Sequence, residues 1–229
     1  YAVPETQTWM MRHIEDSGYV FRGDGVAVAS DITRDVFLST GAYSDDAVTT
    51  VGWPRFDSWR DPNPHGPTDR DLITLVSYHE PLYLGPENYR DVLHAFVSAA
   101  RASGEPGRFV IKLKKLAHLK AVLSICPAML TSRIRIVARQ PLDELLRQSR
   151  MVIGYNTTGV LEGYLTDAAV VVPWWKDAVR PPDDTLISKQ SPEDRLVTHF
   201  PETPQAFRTL LDQAVRAPLP VLGTPAERR

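Results

Sequence analysis

At 229 residues the chain is long enough for one large domain, or for one domain and part of another. Hydrophobic residues make up 43% and charged residues 24%, ordinary proportions that exclude the collagen-like and fully disordered classes. A net charge of −2 exerts no global pull, so no nucleic-acid partner is expected. No apolar run reaches the ~20 residues that span a bilayer, and the start carries no basic-then-apolar leader. The single cysteine, Cys126, cannot close an internal disulfide, which suits a reducing compartment and a cytoplasmic location. The chain opens on Tyr1 rather than Met and its first elements enter mid-architecture, so a fragment lacking part of a first domain is expected.

In chain order, Thr8 to Asp16 has a weak helical pattern. The run GVAVAS, Gly25 to Ser30, reads as a strand; in the segment that follows, Ile32, Val36 and Phe37 share a helical face and Gly41 closes it. AVTTVGWPRFDSW reads as a short strand stopped by Gly52 and Pro54, and RDPNPHGPTDRD is the clearest linker. A regular alternation then begins: a strand in DLITLVSY, a helix over Glu87 to Ser103, a strand in RFVIKLK, and a short helix over Leu116 to Ser124. It continues with a strand in RIRIVA, a helix in PLDELLRQS with Pro141 in its first turn, and a strand in MVIGY. A helix in TTGVLEGYLT, a strand in AAVVVPWW and a last helix in PQAFRTLLDQAVRA complete it. This alternation predicts an α/β fold with a doubly wound parallel sheet. The expected domains are a first piece over residues 1–60 and a second domain over 61–229, its last helix crossing back.

Open parallel sheets bind ligands beyond the carboxyl ends of their strands, next to helix N-termini. After MVIGY come Asn156, Thr157 and Thr158, where free N–H groups and the helix dipole favour an anion and Gly159 permits close backbone approach. Glu162, one turn on, is an acceptor for a ribose diol. On spacing alone, capping is the default role of Asn156 or Thr157. Lys112, at the end of RFVIKLK, has the plain reading of a snorkelling strand-end lysine. After DLITLVSY, His79 and Glu80 are adjacent polar residues at a strand's carboxyl end, where a ligand would be met, or else Tyr78, His79 and Glu80 form a turn network before Pro81. Arg139 and Gln140 follow RIRIVA. Trp174, Trp175 and Lys176 either line a pocket, dock another domain or are simply buried. Neither a phosphate-cradling G-x-x-x-x-G-K-S/T loop nor a dinucleotide fingerprint occurs, and six histidines with one cysteine show no metal-ligand spacing. No metal and no cofactor are expected. Cys126 reads as a packed thiol, and the lysines of IKLKKLAHLK as a solvated face or a contact for an anionic surface.

The segment LLRQSRMVIGYNTTGVLEGYLTDAAVVVP resembles the C-terminal, nucleotide-binding half of GT-B glycosyltransferases of bacterial capsule and surface-polysaccharide biosynthesis. Their N-S/T-T/S-x-x-x-E-A pattern is matched by Asn156, Thr157, Thr158 and Glu162, with Gly163 in place of alanine. VTTVGWPRFDSW is similar to the family's G-x-P-R-x-D segment through Gly52, Pro54, Arg55 and Asp57. FVIKLKK is similar to its K-x-H-P strand end through Lys112, although Lys114 and Lys115 replace His-Pro.

The resemblance implies a metal-independent transferase moving a sugar from a UDP-, CMP- or CDP-linked donor to a surface or capsular glycan, or to a lipid-linked acceptor. It implies Thr157, Thr158, Gly159, Lys112 and His79 at the donor phosphates; Glu162, Glu80 and Asn156 at the ribose or sugar; and Arg139 and Gln140 at the base. A membrane-surface or synthase-complex association at the inner face of the plasma membrane follows as an expectation. No catalytic base is assigned. The alternatives are a sugar-nucleotide 2-epimerase, a CDP-alditol polymerase, and a non-catalytic nucleotide-binding or docking module.

Overall fold

A computed structural model describes residues 18, 22–59, 70–77, 86–131, 133–155, 157–176, 179, 185–224 and 227–228. The weak helical pattern at Thr8 to Asp16, most of the proline-rich linker, and Tyr78, His79, Glu80 and Asn156 lie outside them. The chain divides into two compact units, Tyr1–Pro62 with Pro181–Leu186, and Asn63–Arg180 with Ile187–Arg229.

In the first unit, β1 (Val26–Val28) and β2 (Val48–Thr50) pair in parallel, connected through α1 (Asp31–Ser39). Ser30 caps α1, its hydroxyl accepting from the Thr33 N–H at 3.2 Å. Arg34 ties the helix to the strand through the Val48 carbonyl at 3.1 Å and to Asp45. The G-W-P-R-F-D segment leaves β2 through Gly52 at φ 77°, which suits a residue without a Cβ, and winds into a 3₁₀ helix over Pro54–Trp59.

The second unit holds β3 (Leu72–Ser77), α2 (Pro86–Ser103), β4 (Phe109–Leu113), α3 (Leu119–Ile125), β5 (Arg135–Val137) and α4 (Leu142–Arg147). Then follow β6 (Ser149–Ile153), α5 (Thr158–Leu161), β7 (Ala169–Val171), α6 (Pro192–Val197) and α7 (Pro204–Arg216). The five strands pair in parallel in the order β5-β4-β3-β6-β7. This is the expected doubly wound α/β sheet, Rossmann-like and flanked by helices on both faces.

Alternation along each strand explains the two faces. Ile73, Leu75, Phe109, Ile111, Leu113, Met151 and Ile153 point to one side, where they meet Val92, Leu93 and Phe96 of α2 and Phe207 and Leu211 of α7. Each fully buried side chain of this size stabilises the fold by roughly 1.5–3 kcal/mol. On the other side Val76, Val152 and Val170 lie under α4, α5 and the 3₁₀ turn that continues α5. Burial on both faces is why these strands read as unbroken apolar runs. Cys126 belongs to the core, and burial pushes its thiol pKa up.

At the amino ends of the strands, Asp71 bridges Arg108 at 2.8 Å and Arg150 at 2.5 Å. Both arginines donate to the last turn of α7, at the Val215 and Ala214 carbonyls (3.0 Å each), satisfying orphan acceptors where cations are favoured. This cluster is structural. α7 packs on α2 of its own unit. No described helix is long and apolar enough to cross a membrane.

Candidate functional site

From β3 the chain winds outward through β4 to β5, then returns to the other side of β3 with β6. The strand order therefore reverses between β3 and β6, and open parallel sheets bind ligands beyond the carboxyl ends of the strands at such a reversal. The turn from β6 into α5 sits at that end of the sheet. Its form is dictated by two glycines. A Cβ at Gly154 would stand 2.3 Å from Val160 Cγ2 and 3.3 Å from the Val76 carbonyl oxygen; one at Gly159 would stand 2.9 Å from Leu142 Cδ2 and 3.1 Å from Val76 Cγ1. Only residues without a side chain let this turn lie so close on the end of β3.

Thr157 is the N-cap of α5, with extended backbone at φ −138° and ψ 137°. Its hydroxyl accepts from the Gly159 N–H at 3.4 Å, a long hydrogen bond, so the capping role is made with poor geometry. Thr158 begins the helix, and both threonines are half-exposed. The helix is shorter than the pattern TTGVLEGYLT predicts: after one α-turn it tightens into a 3₁₀ turn over Glu162–Leu165. The reason is Gly163, pressed against Val152 and Val170, and Thr166, whose hydroxyl donates to the Gly163 carbonyl at 2.7 Å and stops the winding. So short a helix has little macrodipole; of its first N–H groups, that of Gly159 is turned to the Thr157 hydroxyl and that of Val160 donates to the Thr157 carbonyl at 2.9 Å. Glu162 ends the α-turn and is buried, 4% exposed.

Lys112 is the register partner of Val76 on the adjacent strand, and therefore rises from the same face that α5 covers. Val76 stands between Lys112 and Gly159. The Lys112 ammonium donates to the Ala138 carbonyl beyond β5 at 2.5 Å, and burial lowers its pKa. One proton is engaged by Ala138, leaving two for another acceptor. Arg139, exposed, and Gln140, half-exposed, follow directly. Pro141 is the N-cap of α4 rather than its first helical residue. Lys114 and Lys115 are exposed.

Of the sequence-predicted residues, Thr157, Thr158, Gly159 and Lys112 thus gather on one face at the carboxyl ends of β3, β4 and β6, with Glu162 buried behind them. Arg139 and Gln140 stand at the end of β5. Trp174 and Trp175 are buried, packed on Phe200 at 5.6 Å and Phe207 at 5.9 Å, so simple burial is the reading that holds. Lys176 adopts φ 51° and pairs with Asp91 at 3.0 Å and Glu87 at 3.7 Å; the Asp91 hydrogen bond leads in raising its pKa. Among the described residues no group of three or more His, Cys, Asp or Glu could hold a metal.

Sequence reasoning missed Asn88. It lies in the first turn of α2, fully buried, yet both ends of its amide are used: Nδ2 donates to the Trp175 carbonyl at 2.6 Å, and Oδ1 accepts from the Tyr155 hydroxyl at 3.1 Å. Asparagine at an otherwise apolar helix position was the available signal.

No protein-family model and no curated protein matches this sequence. Solved structures do resemble the chain. A UDP-GlcNAc 2-epimerase of Methanocaldococcus jannaschii, in complex with UDP-GlcNAc and UDP, superposes with a TM-score of 0.53 at 11% identity, covering 90% of this chain and 59% of that one. A putative UDP-N-acetylglucosamine 2-epimerase of Listeria monocytogenes gives 0.50 at 14% identity, covering 90% and 57%. The glycotransferase of kitacinnamycin gives 0.44 at 16% identity, covering 98% and 55%. The chain spans under three fifths of the length of these proteins. The first two likenesses establish its Rossmann-like α/β fold.

Proposed function

We propose that this chain binds the nucleotide of a sugar-nucleotide donor at the β3/β6 reversal and serves a GT-B type glycosyltransferase. The observation that carries the reading is the glycine-backed turn after β6, which brings Thr157, Thr158 and Gly159 to the topological switch point with Lys112 on the same face. As the glycosidic bond of such a donor breaks, negative charge accumulates on the departing nucleotide's phosphate oxygens. Prearranged N–H groups and an ammonium stabilise that charge without a metal. Glu162 takes the ribose hydroxyls, Arg139 and Gln140 border the base, and His79, Glu80 and Asn156 complete the phosphate and sugar contacts. The preceding unit belongs to the acceptor side, and the acceptor is a surface or capsular glycan, free or lipid-linked at a membrane face.

A second reading is favoured by a specific observation: two solved structures that resemble the chain, with TM-scores of 0.53 and 0.50, are a UDP-GlcNAc 2-epimerase solved with UDP-GlcNAc and UDP and a putative UDP-N-acetylglucosamine 2-epimerase. The same phosphate groups serve either chemistry, because both place charge on a nucleoside diphosphate.

Thermal-shift titration with UDP, CMP, CDP and GDP tests the shared site. A rise of melting temperature with one of them, about 2.7 kcal/mol of stabilisation at a hundredfold excess over Kd, is expected. No shift with any of them overturns the donor-site reading. Lys112→Met and Glu162→Ala should each weaken the binding; unchanged affinity removes that residue from the site. With UDP-GlcNAc and no acceptor, inversion at sugar C2 identifies an epimerase, and release of UDP only when a glycan acceptor is added identifies a transferase.

A further inference from the structure

Asn88 joins three separate pieces of the fold. Its Nδ2 holds the Trp175 carbonyl beyond β7, and its Oδ1 holds the Tyr155 hydroxyl, two residues before Thr157 at the end of β6. The next residue after Trp175, Lys176, is bound to Asp91 and Glu87 of the same helix. The first two turns of α2 therefore grip the carboxyl ends of both β6 and β7.

This is a demanding way to fill a core. Asn88 is 0% and Tyr155 4% exposed, and a buried amide or phenol is tolerated only when its hydrogen bonds are made. An apolar side chain would pack the same space with no such demand. What the polar pair adds is a fixed position, since buried hydrogen bonds between distant segments rigidify what they connect. The opposite side of the turn is pinned as well, by the contact of Gly154 and Gly159 with Val76 and Leu142. Between these two restraints lie the N–H groups of Thr158 and Gly159.

We propose that Asn88, acting through the Tyr155 hydroxyl, is a positioning residue for the phosphate-binding turn: it holds the first N–H groups of α5 in the direction an incoming diphosphate requires before the ligand arrives. The inference rests on the donor-site reading above. Prearranged donors avoid the ordering cost of binding, so the network acts on phosphate affinity rather than on contacts with the nucleoside.

Tyr155→Phe removes the hydroxyl and keeps the ring. In this full chain it should weaken UDP binding by about 2- to 10-fold, the equivalent of one neutral hydrogen bond, while uridine binding stays within about twofold. Without ligand, the amide protons of Thr158, Gly159 and Val160 should exchange faster than in the parent chain, with β3 and β4 unchanged. Asn88→Asp, which keeps an acceptor for Tyr155 and loses the donor to Trp175, is the second variant should the first not fold; the same selective loss is expected. Equal losses for UDP and uridine, or unchanged UDP affinity with unchanged exchange, overturn the proposal and leave Asn88 as core packing alone. If the parent chain binds none of UDP, CMP, CDP and GDP, the donor-site reading itself falls and takes this proposal with it; if it binds another of them than UDP, that nucleotide and its nucleoside replace UDP and uridine in the same comparison.

Discussion

Replacing Gly154 by alanine tests the close packing on which the turn after β6 depends. The added Cβ would stand 2.3 Å from Val160 Cγ2 and 3.3 Å from the Val76 carbonyl. Carbon pairs settle at about 3.5–4.0 Å, so the first contact is more than an ångström too short. Val160 is fully buried and β-branched, with one strongly preferred rotamer in a helix, and cannot swing aside. The strain must move α5. Overpacking of this kind costs about 1–3 kcal/mol. Gly154 is not in the left-handed region, so alanine also returns about 0.4–1 kcal/mol by restricting the unfolded chain. The net loss is about 1–2 kcal/mol, a fall in Tm of roughly 2–8 °C at this chain length.

The cause is isolated by a double-mutant cycle read in thermal or urea unfolding. Val160→Ala alone costs about 2 kcal/mol through lost burial and the cavity left behind. Because it removes the atom that the added Cβ strikes, the double variant should be more stable than the sum of the singles predicts, by at least about 1 kcal/mol. Additivity within about 0.5 kcal/mol, or a Gly154→Ala protein that melts with the parent, would refute the close approach of this turn to α5.

Asp71→Asn removes the anion shared by Arg108 and Arg150, and should lower stability by about 1–2 kcal/mol, with the deficit shrinking as sodium chloride is raised; hydrogen exchange in the last turn of α7 should accelerate first. Asp194 accepts from the Ser188 N–H at 2.7 Å, yet burial raises its pKa above that of the unfolded chain. The folded state thus keeps the proton to higher pH, and stability is lost as pH rises through the folded value. Asp194→Asn should therefore raise Tm at pH 7 and lose that advantage near pH 3; a variant less stable than the parent at pH 7 would contradict this. Cys126 should resist a thiol reagent at neutral pH in the native protein and react fully once urea unfolds it, because the thiol is both buried and shifted toward the neutral form.

Much of the second unit was legible in one dimension. The bounds expected for the strand in DLITLVSY, the helix to Ser103 and the strand in RFVIKLK agree with β3, α2 and β4 to within a residue or so, because periodicity and capping are local properties. The helix α6 was equally legible and overlooked: Ser191, Pro192 and Asp194 spell a capped start, and the Ser191 hydroxyl accepts from the Asp194 N–H at 3.1 Å. The two threonines and the glycine after β6 were picked out by residue type and strand-end position alone.

Other features were decided only in three dimensions. Which strand pairs with which is a contest among distant apolar faces, and that contest places the reversal at β3 and β6. The two tryptophans look the same in sequence whether they line a pocket or fill a core; packing on Phe200 and Phe207 chose the core. Gly163 sits close on the strands beneath it, where a Cβ would stand 3.2 Å from Val170 Cγ2 and 3.3 Å from Val152 Cγ1. Asn88 is an unremarked letter near the start of a helix until Tyr155 and Trp175, 67 and 87 residues away, supply its hydrogen bonds. Local chemistry determined the elements and the small polar residues at the turn after β6. Long-range burial, which gave the enclosed Asn88 amide and Tyr155 hydroxyl their partners, determined where those residues stand and what holds them there.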